Sequence, residues 1–68
     1  MAKVQAEFRD PVDSKALFDE LKAYDINVTD LIDIVVVHGD IQDYYLEIVT
    51  RILEKYGVSN ITIKKSPY

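Results

Sequence analysis

No cysteine occurs in this chain of 68 residues, so neither a disulfide nor a thiolate metal site can reinforce it. Glycine and proline are scarce, two of each, while 49% of residues are hydrophobic, a balance that excludes a disordered or low-complexity chain. Long apolar runs are missing as well. The longest aliphatic stretch, residues 34–37, falls far short of a bilayer's thickness, and MAKVQAEF has no apolar run after a basic one. A cytoplasmic protein without a signal peptide or membrane contact is therefore expected. Positive charge is in deficit, 8 basic against 12 acidic residues for a net charge of −4, which disfavours general nucleic-acid binding. One histidine and no cysteine leave little material for nucleophilic catalysis, and no cofactor is implied.

A single domain of this size has a core that only just supports itself. With disulfides and thiolate metal sites excluded, association is the most available reinforcement. The pattern that organises the chain lies in residues 40–57, where Ile41, Tyr44, Tyr45, Ile48, Val49, Ile52, Leu53 and Tyr56 recur at steps of three and four. That is the period of an amphipathic helix. Asp40 suits its N-terminus and Gly57 the left-handed residue at its end. Ile41, Tyr45, Ile48 and Ile52 are expected to face a sheet.

Around this helix the letters alternate in two places. In residues 3–9, Val4, Ala6 and Phe8 share one face, and in residues 60–65 Ile61 and Ile63 do the same, so each reads as a half-buried strand. Asp10-Pro11 opens a first helix with Asp10 as cap, carrying Ser14, Leu17, Phe18, Leu21 and Tyr24 on one side to about Tyr24. Residues 25–33 admit two readings, a loop with a helical turn begun at Thr29 or an edge strand over Ile26 and Val28, with no glycine to mark a tight hairpin after it. Residues 34–37 are β-branched throughout and read as a strand, with Ile32, Ile34 and Val36 inward and Val35 and Val37 outward. Residues 66–68 are expected to fray.

The order is strand, helix, strand, strand, helix, strand. It implies an α+β two-layer open sandwich with both helices on one face of the sheet. A ferredoxin-like βαββαβ plait is favoured, with a three-stranded βαβαβ sheet as the alternative.

Two groups of residues bear on function. His38, Asp40 and Asp43 stand at the end of the second aliphatic strand, where a histidine with two carboxylates can hold a divalent metal or relay a proton. The same aspartates equally suit a helix N-terminus whatever the protein does. The second group is apolar. The helix at 40–57 carries an apolar arc of about 200°, wider than one sheet can cover, which makes Leu46 and Leu53, seven residues apart, candidates for an interface. Tyr44 joins them, as tyrosine is enriched in binding hot spots, and Val35 and Val37 would lie amid the polar face of the sheet. Lys64 and Lys65, with Lys3 and Arg9, make a local basic patch. RNA readout would instead want aromatics exposed on strands, and Phe8 shares the inward face.

The expected function is a small non-catalytic interaction or regulatory module, a homo-oligomer (a dimer first) or a binder of another protein. The alternative is a small enzyme or metal-binding domain using His38, Asp40 and Asp43. A weaker one is a nucleic-acid accessory protein using Lys64 and Lys65.

Overall fold

A computed structural model describes residues 1–65; the tail at 66–68 lies outside the described residues. The chain forms β1 (Ala2–Phe8), α1 (Ser14–Leu21), β2 (Asn27–Asp30), β3 (Val35–Ile41), α2 (Leu46–Lys55) and β4 (Asn60–Lys65). One open sheet of 4 strands runs in the order β2-β3-β1-β4, with every neighbouring pair antiparallel. The molecule is thus a small α+β domain of one sheet and two helices. The edge-strand reading of residues 25–33 holds, and the loop reading and the three-stranded sheet fall away.

β1 has the expected alternation: Ala2, Val4, Ala6 and Phe8 are buried while Lys3 and Gln5 are exposed. Its central place in the sheet then dictates the facing of β3. Phe8 pairs with Val35 and Ala6 with Val37, and directly opposed residues of antiparallel strands share a face. Val35 and Val37 therefore point inward, 7% and 0% exposed, and Val36 outward. This reverses the orientation expected from sequence, which placed Val35 and Val37 outside. The error is one residue of register, and in a strand that moves every side chain to the other face. Its origin is the start of the strand. Leu31 N–H donates to the Ile34 carbonyl at 2.9 Å, so residues 31–34 form the β2–β3 connection and Ile32 stands fully exposed at its tip. No residue there has a positive φ, which is why the hairpin needs no glycine.

The long helix is also shorter than its periodicity suggests. His38, Gly39, Asp40 and Ile41 pair with Gln5, Val4, Lys3 and Ala2, so the backbone groups of β1 hold them in the sheet. Asp40 accordingly caps nothing. Gln42 keeps an extended backbone (φ −66°, ψ 144°), a single 3₁₀ turn covers Asp43–Tyr45, and α2 follows. Its end is as expected. Gly57 takes φ +83°, its N–H donates to the Glu54 carbonyl at 3.0 Å, and Val58 N–H donates to the Leu53 carbonyl at 3.1 Å. This is the paired closure of a Schellman motif. At α1 the cap is Asp13 and not Asp10: its carboxylate accepts from Ala16 N–H at 3.1 Å.

One core joins Val4, Ala6, Phe8, Val35, Val37 and Ile41 of the sheet with Leu17 and Leu21 of α1, Ile26, and Val49 and Leu53 of α2. The helices thus cover the face of the sheet opposite Lys3, Gln5, His38 and Asp40. The inward line of α2 is Val49 and Leu53, while Ile48 is 45% exposed and Ile52 only partly buried. Ile48 was expected inside and Leu53 outside, so the true inward direction lies toward the opposite flank of the apolar arc. Burial of Val49 and Leu53 decides this facing, and Glu20 of α1 accompanies it by accepting from Lys55 Nζ at 3.0 Å and from the Tyr56 hydroxyl.

Candidate functional site

The histidine and aspartates expected to form a metal or acid–base site are spread along one end of the sheet. His38 and Asp40 sit two apart on β3 and so share its open face, opposite Gln5 and Lys3 respectively. Asp43 lies beyond the strand in the 3₁₀ turn, where its carboxylate is 3.7 Å from the N-terminal amine. Among the described residues no three histidine, aspartate or glutamate side chains are arranged to hold a metal ion. The grouping of His38, Asp40 and Asp43 as a metal site is therefore not assembled. No polar or charged side chain is buried among the described residues either.

The apolar candidates divide. Val35, Val37 and Leu53 belong to the core, and Leu46 packs partly buried against it, so the folded chain does not offer this set to a partner. A line of leucines seven apart marks the seam of α2 with its own domain. Tyr44 does the opposite. It is 73% exposed, with its ring 4.5 Å from that of Tyr45, which in turn meets Tyr24 edge-on at 5.2 Å.

These rings make one corner of the molecule. Tyr24 ends the 3₁₀ turn that prolongs α1, Tyr44 and Tyr45 open α2, and between them the chain passes through Asp25 at φ +57°. A left-handed aspartate is tolerated because its short side chain can satisfy backbone groups locally. Here it turns the chain sharply, and Ile26, the next residue, enters the core. Tyr24, Tyr44 and Tyr45 with Asp25, Asp40 and Gln42 then line a cleft of about 340 Å³. The Tyr44 hydroxyl is pushed above its ordinary pKa by the adjacent Tyr45 hydroxyl. An amphipathic ring of this kind supplies contact area while keeping its hydroxyl wet.

Next to this acidic, aromatic corner lies a basic one. Lys3 and Lys64 are directly opposite across β1 and β4, with Lys65 the next residue, and with Asp40 they line a depression of about 270 Å³. Met1 and Asp40 border both hollows. Of the other cations, Arg9 pairs with Glu7, Lys22 with Asp19, Arg51 with Glu47 and Lys55 with Glu20, while Lys15 on α1 enters no ion pair among the described residues. Lys3, Lys64 and Lys65 enter no ion pair among the described residues. Comparison with protein-family models, with curated proteins and with solved structures finds no match.

Sequence reasoning singled out Tyr44 and the lysines separately but not their adjacency, nor Asp25. Adjacency is a product of strand order: β3 and β4 flank β1 and both run antiparallel to it, so the end of β3 and the end of β4 reach the same end of the sheet, beside Ala2. Asp25 carried no signal beyond its small polar side chain following Tyr24.

Proposed function

We propose that this chain is a small ferredoxin-like βαββαβ plait serving as a non-catalytic interaction module, acting as a homo-oligomer or by binding another protein. The plait reading draws on the element order and the all-antiparallel arrangement β2-β3-β1-β4. The interaction reading rests above all on Tyr44, a large aromatic left outside a small core and stacked on Tyr45 at the rim of an acidic cleft. A domain this small gains more from covering such a ring than a large one does.

Native mass spectrometry of the purified chain tests the reading, alongside Tyr44→Ala. The expected result is a species of twice the chain mass, or a stoichiometric complex with a protein target. It should disappear in Tyr44→Ala while the circular dichroism spectrum stays unchanged. A monomer that retains a metal ion, lost in His38→Ala, would overturn the reading in favour of a metal-binding domain.

A further inference from the structure

We infer that the partner of this corner is a second copy of the same chain, docked about a two-fold axis so that the basic half of each copy covers the acidic, aromatic half of the other. The inference rests on the interaction reading above and supplies its partner and geometry.

Charge complementarity is the argument. The two halves are adjacent and share Met1 and Asp40 at their border, with Lys3, Lys64 and Lys65 on one side and Asp25 with the exposed Tyr44 on the other, where Asp43 holds the Met1 amine. A surface divided in this way is complementary to itself after a half-turn about its border, which is the condition for an isologous dimer. Each lysine side then meets carboxylates twice over, once per copy.

Two further observations fit this occupant. Lys3 and Lys64 face one another directly across β1 and β4, and Asp40 of the same copy stands opposite Lys3 on its other side, so a single carboxylate answers this pair and Lys65 beside it. Carboxylates arriving from a second copy would balance the positive charge that Asp40 alone leaves. The exposed Tyr44 ring in turn offers an apolar centre for the contact and a face over which a lysine ammonium is attracted. Edge pairing through β4 is not required, and lysines on an edge strand oppose it.

A charge-swap experiment read by light scattering decides the matter. Two variants are made, Asp40→Lys with Asp43→Lys, and Lys64→Glu with Lys65→Glu, all four positions being exposed in the fold. The wild-type chain should be a dimer whose dissociation constant rises at least ~10-fold between 0.1 and 1 M salt, as the screening length falls from ~10 to ~3 Å. Each variant alone should be a folded monomer by circular dichroism and mass. Their equal mixture should recover the dimer, now as a heterodimer, because cations then predominate on the corner of one copy and anions on that of the other. If the aspartate variant fails to fold, the lysine variant still tests the contact through its mass. A wild-type dimer that survives Lys64→Glu, Lys65→Glu unchanged overturns this geometry and leaves the interaction reading standing on another surface. A wild-type chain that is monomeric at every concentration overturns the self-association itself.

Discussion

At the scale of single residues, two glycines in this chain do different work. Gly39 sits inside β3, opposite Val4, where a β-carbon would lie 3.1 Å from the Ile26 Cα and 3.2 Å from the Asp25 carbonyl oxygen. The segment that leaves α1 crosses the sheet at that point, and backbone cannot retreat as a flexible side chain can. Gly39→Ala is expected to cost about 1–3 kcal/mol, the range of overpacked cores, measured as a shift in the urea midpoint. Gly57 has nothing within 4 Å of its added β-carbon and is needed for its φ of +83° alone. Gly57→Ala should therefore cost about 1–2 kcal/mol through backbone strain with no repacking. Asp13 is the third such position. Its carboxylate holds Ala16 N–H, so Asp13→Ala should lower stability by about 1 kcal/mol, whereas Asp10→Ala should change it by less than about 0.5 kcal/mol.

At the scale of elements, the facing of α2 is the quantity most open to test. Leu53 is fully buried, so Leu53→Ala should cost about 2–5 kcal/mol in urea denaturation. Ile48, exposed on the outer flank, should tolerate alanine with a loss of less than about 0.5 kcal/mol. The union of α1 and α2 has its own pH dependence. The Tyr56 hydroxyl, then Lys55, lower the Glu20 pKa, and the Glu20 carboxylate raises that of Tyr56. A depressed carboxyl contributes stability above its unfolded pKa and loses it as pH falls through the folded value. A raised phenol contributes below its unfolded pKa and loses that as pH rises through the folded one. The melting-temperature difference between wild type and Tyr56→Phe should thus be largest near neutrality and shrink toward both acid and strong alkali. A difference that is flat with pH would mean that the bond to Glu20 contributes nothing.

For the whole molecule, the marginal stability of small domains sets the consequences. A total of about 5–15 kcal/mol is usual, and a chain this short sits toward its lower end. Losing Leu53 alone removes a large share. A Val35→Lys, Val37→Lys variant should not fold at all, since it places two ammonium groups in the centre of the only core among the described residues. Circular dichroism of that variant distinguishes the two facings of β3, because valines on the open face would accept lysine without loss. A second copy docked on the tyrosine–lysine corner would add stability that grows with protein concentration, so the melting temperature should rise on concentrating the sample.

The alternation of β1 and β4, the β-branched run of β3, the apolar period of α2 and the glycine that ends it are all local properties of the chain. They were legible because each rests on side-chain period or backbone preference within a few residues. The element order and the α+β class followed from them. Facing and boundaries did not, because both depend on partners far away in sequence. Val35 and Val37 point inward because Phe8 and Ala6 do, and residues 38–41 are strand because β1 lies alongside to pair with them. The same holds for function. Tyr44 and Lys64 are unremarkable apart; strand order brings their corners to a common border at Met1 and Asp40, and only that proximity makes them neighbours on one surface.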